Sequence, residues 1–530
     1  MMPALGMVEA RRLLPFLVCW VALSLMSAMW SLATPISASP DEPNHFIKAA
    51  SVVRGQLMPP GGPDGSVVQV PRYVAFTKAQ TCFAFQSEQP ADCAPALSGD
   101  PGRLTTSTTT AGLYNPVYYF IVGGPSLIFH DRSGLYAMRF LSGVAGSIFL
   151  ALVFVQLLAL RRRAIVMLSF AVAVTPMVLF LMGSVNPNSL ETTATLSVFV
   201  TSFMLLRHPD RALLTSRAVI LILSTAVAIT MRGLSPLWVA LALFSPLLLG
   251  GMRGLRELLR STWIRVAIVA IGVAAAFAIG WILVSNSLGA GTGPGAEVAA
   301  PNVGASPLYG FALVLFDSFS YDQGLIGFFG WLDTPAPPPV FFVWSFFIGT
   351  LTLLVMIMTR GRPRLLALVL LAGVILVPAI LQGIYVHSGG IIWQGRYTLP
   401  LFVCFILALG LLLTEAVDLL VPARRLLMVI VLAAWAIAQI AAFTTALRRY
   451  SVGLRGSLGE FVAHPAWSPP LGVLPTIALF SAVTVGMAVL LMAVSQSRGP
   501  LGSKSSLLSE AGGIADTGPA SDGSKLTTLT

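Results

Sequence analysis

The stretch SPDEPNHFIKAASVVRG (residues 39–55) places two adjacent carboxylates, Asp41 and Glu42, directly after a long apolar segment. Asp41 fits the N-cap position of a short helix, because Pro43 suits its first turn and Gly55 follows its end. Charge is scarce elsewhere, since the chain of 530 residues is 56% hydrophobic and only 10% charged. The stretch is therefore either a capped helix at a membrane surface or part of an active site there.

About twelve apolar segments make up most of the chain, and a bilayer-spanning helix needs roughly 20 such residues. Together with a mean hydropathy of +0.84, they predict an all-α polytopic membrane protein. The first segment is longer than the apolar part of a signal peptide, so we interpret it as a retained anchor. The segments are 13–34, 134–160, 164–183, 188–206, 213–231, 235–251, 264–286, 340–358, 364–386, 398–418, 425–446 and 472–495.

Basic residues predict the orientation of these segments. With the N-terminus inside, short Arg-rich loops such as 161–163 all face the cytoplasm, as the positive-inside rule requires. This explains the net charge of +11 without nucleic acid, for which no binding motif is present. Residues 35–133, with juxtamembrane helices, and 287–339 then form two large extracytoplasmic loops. Residues 1–495 form one membrane domain, residues 496–530 form a disordered tail, and both chain ends are cytoplasmic.

Two of the four cysteines, Cys82 and Cys93, lie in the first large loop. Its compartment is oxidising in this orientation, so we expect a disulfide that contributes about 3 kcal/mol by closing a short loop. Cys19 and Cys404 fall within apolar segments and are expected to pack as small hydrophobic side chains. No Cys/His spacing is typical of a zinc site.

Ionisable residues near the extracytoplasmic ends of the segments are candidates for function. Arg396 is the most informative, because it begins an inward-running helix whose dipole disfavours a cation unless an anion is bound. The alternative is a side chain that snorkels to lipid headgroups. Glu191 and Asn188 have the spacing of an N-capping pair. The other candidates for substrate binding are Gln394, His45, Lys48, Arg232 and Asp333.

The motifs PDEPNHFIKAASVVRGQ, YNPVYYFIVGG, NPNSLE, GFFGWLDTPAP and QGRYTLPLF resemble, in this order, the bacterial membrane-protein family named domain of unknown function 2142. That family is similar to the GT-C superfamily of membrane glycosyltransferases, which carry an acidic pair in the first extracytoplasmic loop and use polyprenyl-phosphate sugars. The resemblance implies a GT-C-like fold in the bacterial cytoplasmic membrane. It implies that Asp41 is the base or metal-organising acid and Glu42 its partner, an arrangement compatible with Mg²⁺ or Mn²⁺.

The predicted activity is transfer of a hexosyl or pentosyl group from a polyprenyl-phosphate donor to a cell-envelope glycan or lipid. Asp41 would accept the proton of the acceptor hydroxyl. Arg396, supported by Lys48 or Arg232, would neutralise the leaving phosphate. Aromatic residues at 328–331, suited to the membrane–water boundary, would line the path of the lipid tail.

Two other functions remain open at this point. A transporter or flippase of a lipid-linked or anionic solute also fits about twelve helices and a basic outer site. It would need polar residues on broken helices near the bilayer midplane, whereas the charge here is concentrated at one face. A non-catalytic envelope-assembly subunit is the third interpretation.

Overall fold

The computed structural model describes residues 2–62, 64–287 and 301–496. Within these ranges, nine helices are long and apolar enough to cross a membrane, and a further span consists of two helices that meet at a bend. Two shorter apolar helices, Leu214–Ile229 and Ser235–Leu248, occupy the remaining two predicted segments. The predicted all-α polytopic membrane protein is confirmed. The tail predicted after residue 495 lies almost entirely outside the described residues.

In chain order the helices are α1 (Met2–Ala33), α2 (Glu42–Val52), α3 (Arg72–Ala75), α4 (Pro116–Gly123), α5 (Pro125–Ile128), α6 (Arg132–Leu157), α7 (Ala164–Ala173), α8 (Pro176–Met182), α9 (Asn188–Arg207), α10 (Leu214–Ile229), α11 (Ser235–Phe244), α12 (Met252–Leu259), α13 (Thr262–Ser285), α14 (Pro307–Phe316), α15 (Ser318–Ile326), α16 (Pro338–Met358), α17 (Arg362–Gly389), α18 (Leu399–Ala416), α19 (Val421–Val452), α20 (Leu458–Ala463) and α21 (Val473–Gln496). The strands are β1 (Gly61–Gly62), β2 (Gly65–Pro71), β3 (Leu104–Thr109), β4 (Phe328–Phe329) and β5 (Thr334–Pro335).

The centre of the bundle is formed by α9 and α18, which are buried over nearly their whole length. α9 packs against α6, α10, α11 and α18. Its many Ser and Thr residues suit this position, because small side chains let helices approach closely in a membrane. Several of their hydroxyls bond within the bundle, as Thr201 Oγ1 does to the carbonyl of Ser197 at 2.6 Å. By contrast, α13 and α16 are mostly exposed, as expected of helices that contact lipid.

The bent span consists of α7 and α8, which meet at 57°. Pro176 disfavours helical continuation through the residue before it, which accounts for the break. Thr175 Oγ1 donates to the carbonyl of Leu325 (2.9 Å) and accepts from the amide of Val178 (3.3 Å). Gln439 Nε2 donates to the carbonyl of Val174 (2.7 Å). Protein groups thus satisfy the backbone at the break, as the membrane interior requires.

The end of the bundle that carries residues 34–62, 64–131, 286–287 and 301–337 is called the loop face here. Its first long connection contains an antiparallel sheet in the order β1-β2-β3, with Val68 opposite Ser107. Val68 and Val70 are buried while Gln69 between them is exposed, which is the alternation of a strand with one covered face. For this connection the sequence predicted only short helices. The sheet was not predicted.

Arg449 on α19 ties the two long connections together. Its guanidinium forms an ion pair with Asp333 (Nη2–Oδ2 2.8 Å) and donates to the carbonyls of Phe83, Gln86 and Gln89. Those carbonyls belong to the loop that a disulfide closes between Cys82 and Cys93, whose Cα atoms are 6.1 Å apart. Cys19 and Cys404 are buried free thiols.

The expectation that the aromatic residues at 328–331 lie at the membrane–water boundary is wrong for Phe329. Phe329 is fully buried, with its ring centroid 4.9 Å from that of Trp30 and 5.4 Å from that of Phe180. Trp331 Nε1 donates to the carbonyl of Ser37 at 2.9 Å. The segment therefore packs against α1, α8 and the first long connection.

Candidate active site

A cavity of about 1210 Å³ lies at the loop face and is lined by residues from α2, α9, α13 and α17 and from the segment before α18. It brings together five of the residues that the sequence analysis proposed for catalysis or substrate binding, namely Asp41, His45, Arg232, Gln394 and Arg396. Three others, Glu42, Lys48 and Asp333, have their polar atoms engaged elsewhere. The cavity therefore divides the candidates into two groups, which are described in turn.

Asp41 occupies the N-cap position of α2, but its side chain makes no capping hydrogen bond. Its backbone is left-handed (φ 63°, ψ 0°), a conformation that costs most residues free energy and that Asp tolerates better than most. The carboxylate instead accepts from Arg396, with Oδ2 2.9 Å from Nη2. Asp41 therefore stands at the cap position of α2, but its carboxylate lines the cavity and pairs with Arg396 instead of capping the helix.

Arg396 lies in the 3₁₀ turn Gly395–Tyr397 that precedes α18. The side chain of Arg396 is 2% exposed and that of Asp41 is 50% exposed. The Nε and Nη1 atoms of Arg396 are buried and have no hydrogen-bond partner within the described part of the chain. Leaving such donors unpaired is costly, so they are expected to have a ligand. Deep burial also argues against a side chain that snorkels to headgroups.

Asn188 connects Arg396 to the second cavity arginine, Arg232. Its Oδ1 accepts from Arg232 Nη1 at 2.6 Å, and its Nδ2 donates to the carbonyl of Arg396 at 3.3 Å. The two guanidinium carbons lie 4.5 Å (Arg232) and 5.4 Å (Arg396) from the ring centroid of Tyr397. One amide and one aromatic ring thus hold two cations at the same side of the cavity.

Glu191 does not cap α9, contrary to the interpretation from its spacing. The N-cap residue of α9 is Pro187, which makes no side-chain capping bond, and the amide of Asn188 donates to Asn186 Oδ1 instead (3.0 Å). Glu191 is buried and its Oε1 accepts from Ser235 Oγ at 2.6 Å. Ser235 Oγ in turn accepts from the backbone amide of Arg232 at 2.9 Å. Glu191 therefore supports the turn that presents Arg232.

Glu42 is not a partner of Asp41, and this corrects the prediction of an acidic pair. It is fully buried and receives two hydrogen bonds from Arg139, from Nε to Oε1 (2.8 Å) and from Nη2 to Oε2 (2.6 Å). The backbone amides of Ser37 (3.1 Å) and Val185 (3.0 Å) donate to the same carboxylate. With both oxygens occupied, Glu42 forms a structural ion pair that joins α2 to α6.

The predicted Mg²⁺ or Mn²⁺ site at Asp41 and Glu42 does not fit this geometry. A hard divalent ion needs several oxygen ligands, and both carboxylate oxygens of Glu42 already accept hydrogen bonds from other groups. Among the residues that the structure describes, no group of three or more His, Cys, Asp or Glu side chains is arranged to hold a metal ion. The mechanism below therefore uses no metal at this pair.

Lys48 and Asp333 also have structural partners. Lys48 Nζ donates to the carbonyls of Leu57 (2.8 Å) and Gly112 (2.5 Å), and burial lowers the pKa of Lys48 to about 8. Asp333 is held by Arg449, as described above. The predicted roles of both residues in substrate binding are not supported, because their charged atoms point into the protein.

His45 lines the cavity one helical turn after Asp41. Its Nδ1 lies 2.9 Å from the hydroxyl of Tyr119. Burial lowers the pKa of His45 to about 3, with Arg232 and Arg396 acting in the same direction and Asp41 against them. The imidazole is therefore neutral at physiological pH and can serve as a hydrogen-bonding group but not as a cation.

Comparisons with known proteins match one family and also find similar solved structures. The family described as "Predicted membrane protein (DUF2142)" matches residues 24–405, and no curated protein matches the chain. ArnT from Cupriavidus metallidurans is similar in its structure bound to undecaprenyl phosphate (16% identity, 90% of this chain, 77% of that chain, TM-score 0.43). Its apo structure is similar to the same degree (17% identity, 91% and 77%, TM-score 0.43). Likeness at this level transfers no activity to this chain.

Proposed function

This chain belongs to the DUF2142 family of predicted membrane proteins, and from that premise we propose that it is a membrane glycosyltransferase. It transfers a sugar from a polyprenyl-phosphate donor to a cell-envelope glycan or lipid acceptor. The reaction takes place at the extracytoplasmic face of a bacterial cytoplasmic membrane. The observation that supports this most strongly is the pairing of the buried Arg396, which has two unpaired donors, with the half-exposed Asp41 in one large cavity.

The donor phosphate binds at Arg396. A guanidinium can bind two oxygens of one phosphate in parallel, and such charge-assisted bonds are stronger than neutral ones. When the bond between the sugar carbon and the phosphate oxygen breaks, the departing phosphate gains negative charge. Arg396 therefore interacts more strongly with the transition state than with the bound donor, which is what catalysis requires. Arg232, whose guanidinium carbon lies 4.5 Å from the centroid of the Tyr397 ring, supplies a second positive charge.

Asp41 is the general base. Its carboxylate is half exposed and lines the cavity, so an acceptor hydroxyl can reach it. As the hydroxyl oxygen bonds to the anomeric carbon, its proton passes to Asp41 and the phosphate leaves from the opposite side with the bonding electron pair. The configuration at the sugar carbon is inverted. Because Glu42 is buried, Asp41 does this alone, with neutral His45 nearby as a hydrogen-bonding group.

A transporter would be expected to use the bent span α7–α8, because broken helices commonly carry transporter binding sites. Here, Thr175 and Gln439 satisfy the backbone at the bend. Among the described residues, none from 164–182 lines the cavity. The bend and the cavity are separate, which favours the enzyme.

The test is transfer of labelled sugar by purified protein in lipid vesicles, using a panel of polyprenyl-phosphate hexoses and pentoses with a membrane glycan fraction as acceptor. We expect wild-type protein to transfer label and Arg396→Ala to lose nearly all transfer. Asp333→Asn is the matched control, because it breaks a similar arginine–aspartate pair outside the cavity. Its activity per folded molecule should be retained. Transfer by Arg396→Ala at the wild-type rate would overturn the proposal.

A further inference from the structure

The cavity has two kinds of wall. One is polar and comes from the first long connection, where Asn44, Asp64 and Thr110 contribute amide, carboxylate and hydroxyl groups. The other is apolar and comes from the loop-face ends of α13 and α17 and the segment after α17, where the lining includes Ala278, Ile282, Leu381, Ile384 and Ile392. An apolar wall of this extent does not serve a sugar or a phosphate.

The apolar wall is formed by two helices that have different main neighbours. α13 packs against α10, α11 and α12, whereas α17 packs against α14, α16, α18 and the turn Ser245–Leu248 that follows α11. Ile384 lines the cavity and is also 72% exposed at the surface of a membrane-spanning helix. Ile392, in the segment after α17, also lines the cavity and is 44% exposed. The cavity is therefore open at the end of α17, where this membrane-spanning helix reaches the loop face.

Both sides of this opening are fixed by hydrogen bonds. On the α13 side, Trp281 Nε1 donates to the carbonyl of Leu113 in the first long connection, at 3.0 Å. On the α17 side, the buried Gln382 donates from Nε2 to the carbonyl of Gly390 (2.7 Å). Its Oε1 accepts from the amides of Ile392 (3.1 Å) and Trp393 (2.9 Å). The opening is thus a built feature of the loop face.

We propose that the isoprenoid chain of the lipid donor passes from the cavity into the bilayer between the loop-face ends of α13 and α17, over Ile282, Ile384 and Ile392. This inference rests on the proposed function, because it assumes a donor whose phosphate binds at Arg396. A donor with a long hydrocarbon chain gains from an apolar wall that continues into lipid, and a water-soluble donor does not. The path replaces the one predicted at residues 328–331, where Phe329 is buried.

Photo-crosslinking locates the chain directly. A photoreactive benzoylphenylalanine is placed at Ile384 or at Phe342, a residue of α16 that is 75% exposed and is not part of the cavity lining. Radiolabelled undecaprenyl phosphate in vesicles is the probe. We expect labelling at Ile384 that excess unlabelled undecaprenyl phosphate removes and phosphatidylglycerol does not, and only unspecific labelling at Phe342. Equal labelling at both positions, or competition by phosphatidylglycerol, would overturn the inference.

Chain-length dependence separates this inference from the proposed function. Ile384→Asn should raise the KM for a long-chain donor by about tenfold, the factor that corresponds to losing one or two buried methylene contacts. The KM for a ten-carbon donor should not change, because Arg396 and Asp41 are intact. Specific labelling at Ile384 without any sugar transfer would refute the proposed function alone. Sugar transfer with the same change in KM for both donors would refute the path alone.

Discussion

The carboxylate of Asp41 lies 2.9 Å from the guanidinium of Arg396, although 355 positions separate the two residues in the chain. The contact joins the start of α2 to the turn before α18. One partner is buried and the other is half exposed, so the cation is anchored by a group that remains accessible from the cavity. This asymmetry distinguishes the pair from Glu42 and Arg139, where both side chains are fully buried.

Asp41→Asn is expected to reduce sugar transfer by about 10²–10⁴-fold, the usual effect of removing a general base. Stability should change little, because Asn tolerates the left-handed backbone, no capping bond is lost, and the oxygen of the half-exposed Asn side chain still accepts from Arg396. Transfer rate and thermal stability in detergent are measured at matched protein levels. Asp418→Asn, which removes the partner of Arg162 in an exposed pair, is the control. Full activity of Asp41→Asn would leave Asp41 as a structural residue.

Arg396→Ala is expected to weaken binding of undecaprenyl phosphate by about 1.5–3 kcal/mol, or roughly 10- to 150-fold, through loss of charge-assisted bonds. Arg396→Lys should recover only part of this, because an ammonium group cannot bind two phosphate oxygens in the planar geometry of guanidinium. Native mass spectrometry measures the affinity of wild type and of both variants for undecaprenyl phosphate, and the expected order is wild type, Arg396→Lys, Arg396→Ala. Arg455→Lys, which alters an exposed arginine paired with Glu88, should bind as wild type does. Normal binding by Arg396→Ala would contradict the assignment.

Glu42→Gln is expected to destabilise the protein by about 3–5 kcal/mol, because it leaves the buried Arg139 without its counter-charge. The loss should be seen as a lower melting temperature and a lower yield of folded protein, and added Mg²⁺ or Mn²⁺ should not restore it. Adding Arg139→Met to Glu42→Gln should recover part of the stability. A variant of normal stability whose activity is rescued by metal would instead support the predicted metal site.

The neutral state of His45 predicts a pH dependence of stability. In the unfolded chain its pKa is 6.5, and burial lowers it to about 3 in the folded protein. The unfolded state therefore binds a proton that the folded state excludes. The stability from this group is complete above pH 6.5 and declines as the pH falls from there towards 3. The fall in melting temperature between about pH 7.5 and pH 4.5 should be smaller in His45→Gln than in wild type. Equal falls would show that His45 does not titrate in this way.

The disulfide between Cys82 and Cys93 should protect both residues from alkylation until a reductant is added. Cys82→Ala with Cys93→Ala is expected to cost about 3 kcal/mol, because the open loop has more freedom when unfolded. The carbonyls that bind Arg449 lie in this loop, so protease sensitivity should rise there first. The buried thiol of Cys404 serves as the control and should label slowly in either state. Rapid labelling of Cys82 without reductant would contradict the prediction.

The membrane fold could be predicted because hydropathy along the chain depends on local composition alone. Each predicted segment contains a helix, and the bend between α7 and α8 occurs at a proline. The sheet could not be predicted in the same way. β3 is a Thr-rich strand whose partner β2 lies far away in the chain, and the Gly- and Pro-rich sequence just before β2, residues 58–65, indicates only turns.

The site was predicted in part, for a related reason. Asp41, His45, Arg232, Gln394 and Arg396 stood out because polar residues are rare at the ends of the apolar segments. The same criterion selected Glu42, Lys48 and Asp333 wrongly. Their partners are Arg139, two backbone carbonyls and Arg449, and nothing in local sequence shows which distant group will satisfy a buried charge. Asn188 was overlooked as a cavity residue because an amide at a helix start resembles a cap.

Because Asp41 has a left-handed backbone, Asp41 and Glu42 cannot exchange places. Position 41 requires a short side chain that accepts positive φ and is aimed at Arg396. Position 42 has helical backbone and requires the longer side chain, which reaches Arg139, 97 positions away, and two amides at once. Exchanging Asp-Glu for Glu-Asp would keep composition and charge unchanged and would disrupt both sites together. In a related sequence, the residue at the position of Asp41 therefore indicates whether the reaction is possible. The residue at the position of Glu42 indicates whether the chain can fold in the same way.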